Sequence, residues 1–190
     1  EVLVTRAAVY LELGRVGAAQ RDLADAGALV DASATPDLEL KRAALLHNLG
    51  QIGAASEGHR RVLADPNASR NIRTRAANNL ALEEALRGRT REAMRHIDEA
   101  GELAAEVGPA FVAIVTHNRG QVLAQSGLLR ESLERFDESL DLARSAGLPT
   151  GEFLTDHAEI LAELRALPEA LEVATRAAAE LAAGDVPLMA

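Results

Sequence analysis

Arg75-Ala-Ala-Asn-Asn-Leu-Ala-Leu-Glu-Glu-Ala-Leu-Arg-Gly88-Arg-Thr-Arg-Glu-Ala-Met-Arg-His-Ile-Asp-Glu-Ala100 reads as a helix, a glycine break and a second helix, and the rest of the chain repeats it. Aligned on Gly88, equivalent glycines fall at Gly14, Gly50 and Gly127, and Arg165 occupies the fifth position. The intervals are 36, 38, 39 and 38 residues, a period that signals stacked repeats. Neighbours recur at fixed offsets. Seven before the anchor stand Ala7, Ala43, Ala81, Gly120 and Ala158; five after it stand Ala19, Ala55, Ala93, Ser132 and Ala170. Nine after it come Leu23, His59, Ile97, Phe136 and Ala174, and four before it Tyr10, Leu46, Glu84, Leu123 and Leu161. Small residues in two columns let paired helices approach closely, and a glycine permits positive φ where the first helix must end.

These columns resemble the tetratricopeptide repeat (TPR), the helix-turn-helix unit of α-solenoids. Asn79-Leu-Ala…Gly88…Ala93…Ile97…Ala100 and Asn118-Arg-Gly…Leu123…Gly127…Ser132…Phe136 carry the likeness best, and it extends from Glu1 to about Ala183. No first helix has the usual Trp, Glu84 stands where an aromatic is usual, and Arg165 replaces the last turn glycine. The resemblance implies an all-α, right-handed solenoid of five repeats, with units at about 1–34, 35–68, 69–108, 109–148 and 149–184. It also implies a concave groove, lined by first helices, that takes an extended peptide or a partner helix. The long-chain context it suggests is the repeat array of bacterial CHAT-domain peptidases or of TPR-bearing transcriptional regulators.

Composition agrees with an all-α reading. Hydrophobic residues are 48% but aromatics only 2%, so the core must be mostly Ala, Leu, Val and Ile, which suits close helix pairs and disfavours a sheet. There is no cysteine, hence no disulfide framework or thiolate site, which fits a cytoplasmic protein. No long apolar run is present to span a membrane. All basic residues except Lys41 are arginine, a bias that suggests a GC-rich bacterial source. The chain starts at Glu1 inside a first helix and closes on Val186–Ala190 as if another unit began, so it reads as a piece of a longer protein.

Charge is unevenly spread. Residues 1–57 hold 5 basic and 8 acidic side chains, 58–96 hold 9 and 4, and 97–190 hold 6 and 17. A basic middle beside an acidic C-terminal half could steer an acidic partner, or these could be solvated helix surfaces. Overall acidity and the lack of stacking aromatics argue against nucleic acid as the ligand of the Arg60 to Arg95 region.

Caps and breaks place the helices. Thr35 can cap before Pro36, Asn67 or Ser69 before the third unit, and Thr150 before the fifth; Gly108-Pro109 separates the third unit from the fourth, and Pro168 opens the last helix. Catalytic motifs are missing. There is no Gly-x-x-x-x-Gly-Lys and no His-Glu-x-x-His among His47, His59, His96, His117 and His157. Asp156-His157 beside Glu159 lacks a third ligand at metal spacing. Glu83-Glu84 and Asp137-Glu138 read as solvated surfaces, and Ser56, Ser126 and Ser145 lack a nucleophile context. No enzyme activity, metal or cofactor is therefore expected.

Recognition remains. In the resembled family a polar residue nine before the turn glycine, often Asn, can hold a peptide main chain. Here that column reads Thr5, Lys41, Asn79, Asn118 and Asp156. With the neighbouring columns it nominates Lys41, Arg75, Asn78, Asn79, His117, Asn118, Gln121 and Gln125 as partner-binding residues, with Arg75 suited to a carboxylate. Two readings stay open for Asn79 and Asn118: contact with a peptide, or hydrogen bonds between adjacent first helices. The rival to a peptide-binding module is a spacer or self-association domain.

Overall fold

In the computed structural model residues 1–28 and 35–184 are described, and they form ten α-helices with no strand among them. The helices pack as five consecutive pairs. They are α1 (Val2–Glu12) with α2 (Val16–Ala28), α3 (Pro36–Asn48) with α4 (Ile52–Ala64), α5 (Arg70–Leu86) with α6 (Thr90–Val107), α7 (Pro109–Gln125) with α8 (Leu129–Ser145), and α9 (Gly151–Glu163) with α10 (Leu167–Gly184). Most of the loop expected from Asp31, and the Val186–Ala190 tail, lie outside the described residues. Among the described residues no helix is long and apolar enough to cross a membrane.

One turn closes all five pairs. Gly14, Gly50, Gly88 and Gly127 have φ of 66°, 72°, 71° and 79°, and Arg165 joins them at 63°. The next residue's N–H then reaches back five positions: Arg15 to the Tyr10 carbonyl (2.7 Å), and Gln51 to Leu46, Arg89 to Glu84, Leu128 to Leu123 and Ala166 to Leu161 (each 2.9 Å). This satisfies a helix-end carbonyl that would otherwise be orphaned. Arg165 carries a side chain into a backbone region that costs an L-residue about 1–2 kcal/mol. The packing of the pair, and not the identity of the residue, dictates the turn.

Helix starts follow the expected chemistry in part. Thr35 Oγ1 accepts from the Leu38 N–H and Ser69 Oγ from the Ile72 N–H, both at 3.4 Å. Thr150 precedes α9, as read from the sequence, but does not cap it; its hydroxyl donates to Glu180 of α10 instead.

Burial explains the columns. All ten small residues seven before and five after the anchors are buried. Where Phe136 supplies the large partner, the facing position has shrunk to Gly120, whose missing Cβ would lie 2.9 Å from the Phe136 ring. The core is a chain of local clusters. One joins α1 to α4 around Leu23 and Leu46, a second joins α3 to α5 around Leu40 and Val62, a third joins α5 to α7 around Ile97 and Val122, and a fourth joins α7 to α10 around Leu140 and Leu154. Such an array has no single centre, and each pair leans on the next. First helices also touch one another in the row α1, α3, α5, α7, α9.

Replacing Arg165 by Gly should remove the strain at that turn. Arg165→Gly is expected to raise stability by about 1 kcal/mol, the left-handed penalty less the extra chain entropy of glycine. The check is the urea midpoint, which should rise at unchanged slope.

Candidate functional site

Among the described residues, two cavities bear on the nominated side chains. One, of about 670 Å3, is lined by Thr5 of α1, Leu38, Lys41 and Leu45 of α3, and Arg75 of α5. The other, of about 830 Å3, is lined by His117, Asn118 and Gln121 of α7, Phe153 and Asp156 of α9, and Leu181 of α10. Three of the nominated residues thus meet in the second cavity and two in the first. Asn78, Asn79 and Gln125 line neither. Lys41 is engaged by Asp37 at 2.6 Å, whereas Arg75 is exposed and has no ion-pair partner among the described residues.

The asparagines connect helices. Asn118 of α7 donates to the Asn78 carbonyl oxygen of α5 at 3.0 Å. Asn78 donates in turn to Asn79, and Asn79 to His59 Nε2 of α4, both across a long 3.4 Å. His59 Nδ1 lies 3.0 Å from Glu83 Oε1, off the best hydrogen-bond direction, and His47 Nδ1 lies 3.2 Å from the same oxygen. With the His59 proton on Nδ1, beside the Glu83 carboxylate, Nε2 accepts from Asn79 and the three amides point one way.

A second tie holds α7 to α9. Asp156 Oδ2 accepts from His117 Nε2 at 2.8 Å and from the Gln121 amide. The His117 ring also packs on Phe136 and Phe153, with centroids 5.0 and 4.5 Å apart. Asp156 is therefore committed to α7, and no metal-binding group of His, Cys, Asp and Glu exists among the described residues.

The acidic pair expected on a solvated surface needs correction. Glu83 and Glu84 are 0% and 1% exposed. The departure at Glu84, an acid where the repeat usually has an aromatic, works because Arg60 and Arg89 close on its carboxylate from α4 and from the turn after Gly88. Glu39 is likewise buried and clasped by Arg42 and Arg61. Much of the positive surplus in residues 58–96 is thus engaged by the protein's own carboxylates. Ser56, Ser126 and Ser145 each donate to the carbonyl four residues back, to Ile52, Val122 and Asp141, which leaves them as ordinary helix hydroxyls.

Column reading missed Phe153, Glu152, Glu180 and Leu181, which complete the second cavity. They come from the start of α9 and the end of α10, outside the repeat columns. The close approach that unites them has one sequence trace, Gly151, whose missing Cβ would lie 2.7 Å from the Leu181 side chain.

No family model matches the chain, and no curated protein does either. Solved structures do. A variant of a Podosopora anserina protein of kinesin light chain type, with nearly identical TPR-like repeats, superposes with a TM-score of 0.65 at 16% identity, over 96% of this chain and 94% of that one. The fold is a TPR-like helical repeat. Bacillus thuringiensis PlcR, solved with the peptide PapR7 and DNA, matches this TPR-like array with a TM-score of 0.68 at 11% identity, over 99% of this chain and 73% of its own. MamA AMB-1 gives 0.56 at 20% identity, over 94% and 96%. At these identities the likeness carries the fold alone.

The buried ionisable groups set a pH response. Burial, helped by Arg95, holds the His96 imidazole below its usual 6.5, and burial, helped by Arg176, does the same for His157. Burial alone would raise the Glu39 carboxyl, but Arg42 and Arg61 outweigh it and hold the group below 4.5. At Glu83 burial is outweighed in the same way by His47 and His59. At all four sites the unfolded chain takes up protons more readily than the folded one. Stability is expected to be full above the usual histidine value of 6.5, to decline as pH falls below it, and to fall again below the carboxyl value of 4.5. Urea melts across that range check this; a profile flat from neutral to pH 4 would contradict it.

Proposed function

We propose that this TPR-like array is a non-catalytic protein-interaction module that receives an extended peptide or partner helix on its first-helix surface. One observation carries the reading: the 830 Å3 cavity gathers His117, Asn118, Gln121 and Asp156 beside exposed apolar side chains. A concave site with an apolar wall and a few convergent polar groups is what peptide recognition requires. PlcR, whose structure holds the peptide PapR7, supports the idea that a fold of this kind can serve such a purpose. At the other cavity, Arg75 offers a guanidinium to a carboxylate on the partner. The parent protein we place in the cytoplasm of a GC-rich bacterium, as a regulator or a CHAT-domain peptidase whose catalytic cysteine lies outside this chain.

Asn118 separates groove contact from inter-helix bonding. Its amide already links α7 to α5, so Asn118→Ala should lower stability by about 1 kcal/mol. If the groove binds peptide, the same substitution should also weaken, by about tenfold, a peptide selected from a random library on this chain. The two effects are read by thermal melting and fluorescence polarisation; full retention of peptide affinity would confine Asn118 to the inter-helix role.

A second reading, self-association, is favoured by the outer side of α10. Leu167, Leu171 and Leu181 are 55%, 70% and 46% exposed beside a shallow apolar cavity walled by Ala158, Ala162, Ala170 and Ala174. In that case the mass by light scattering should rise with concentration and return to monomer in Leu171→Glu; a monomer at all concentrations removes this reading.

A further inference from the structure

We infer that the cavity between α7, α9 and the end of α10 seats a basic side chain, arginine or lysine, of an extended peptide that also carries an adjoining apolar residue. The inference rests on the peptide-binding reading of the first-helix surface and adds the chemistry of the occupant.

The apolar wall comes first. Ile114 and Leu181 line the cavity and are 39% and 46% exposed, and Leu148, Pro149 and Phe153 line it with them. Such side chains favour an apolar partner that removes them from water. Charge then narrows the choice. Three carboxylates, Glu152, Asp156 and Glu180, line the space against one guanidinium, Arg144, which itself leans on Asp141 at 3.6 Å. The surrounding C-terminal half is strongly acidic, with 17 acidic and 6 basic residues from Ile97 onward.

Hydrogen-bond bookkeeping agrees independently. The donors of the cavity are turned inward: Thr150 donates to Glu180, Gln121 and His117 Nε2 to Asp156, and Asn118 to Asn78. What faces a ligand is mostly acceptor. The Asn118 and Gln121 carbonyl oxygens carry no bond among the described residues, and the Glu152 carboxylate has no partner there. His117 is only 7% exposed and its Nδ1 is buried, so the ring shapes the wall of the cavity and adds no acceptor to the face a ligand meets. A guanidinium or ammonium brings several donors and a positive charge to such a site, whereas a carboxylate brings neither and meets repulsion.

The test is selection of a randomised seven-residue peptide library, displayed on phage, on the intact 190-residue chain, followed by fluorescence polarisation of the winners. The expected winners pair Arg or Lys with a Leu, Ile or Phe nearby. Replacing their basic residue by Gln should weaken binding by about tenfold, and Glu152→Gln by about threefold with its melting temperature unchanged. Backbone amide shifts should move at Ile114, Phe153 and Leu181. Winners enriched in Asp or Glu, winners with no charge bias, or shifts confined to the cavity around Arg75 would overturn the basic-occupant inference and leave the groove reading standing. If no peptide is enriched at all, the groove reading falls and takes this inference with it.

Discussion

A left-handed residue at the end of each first helix is the constraint on which this array depends. At that position the chain must reverse within a few residues, and the reversal fixes where the second helix lies against the first. The same hydrogen bond, from the residue after the turn to the fifth residue before it, forms in all five pairs. Arg165 shows how strict the requirement is, since an arginine is driven into a backbone conformation natural to glycine. With the turn fixed, the small columns can do their part: Ala7, Ala43, Ala81 and Gly120 let the paired helices close, and Gly120 is as small as it is because Phe136 fills the space.

Beneath this regular frame lies an unusual amount of buried charge. Asp22 is held by Arg6, Glu39 by Arg42 and Arg61, Glu83 by two histidines, and Glu84 by Arg60 and Arg89. A chain with so few aromatics cannot fill every junction with apolar volume, and here ion pairs between successive helices occupy several of them. Such pairs do little for stability as against a well-packed apolar alternative, but removing one partner leaves a stranded charge. That asymmetry makes them suited to fixing which helix meets which. It also changes how the charge map of the chain is understood, because several arginines that look like a free basic patch in the sequence, Arg60, Arg61 and Arg89 among them, are exposed but already paired with the protein's own buried carboxylates.

The architecture is legible in the sequence because its signal is repeated. Five anchors with matching neighbours overdetermine a helix-turn-helix period, and an isolated departure such as Arg165 does not break it. The site is legible only in part. Columns of the first helices lead to His117, Asn118 and Gln121, which do share a cavity. They cannot reveal Glu152, Phe153 or Leu181, since these meet through the approach of α9 to the last turns of α10, a tertiary event with no periodic trace. Glu83 and Glu84 mislead for the opposite reason: two adjacent acids look solvated unless the arginines and histidines that enclose them, from other helices, are already in view. Thr150 does stand at the head of a helix, but its hydroxyl has a stronger suitor in Glu180.

The amide chain running from Asn118 through Asn78 and Asn79 to His59 has a sense of direction. An isolated carboxamide can present either its oxygen or its nitrogen to a neighbour, since the two ends are almost the same shape. With the His59 proton on Nδ1 beside the Glu83 anion, the choice passes outward through three asparagines, and the oxygen of the last one is left without a bond among the described residues. The middle of the array thus has a polarity, from α4 through α5 to α7, that no single repeat possesses, comparable to a line of compass needles aligned by one fixed magnet.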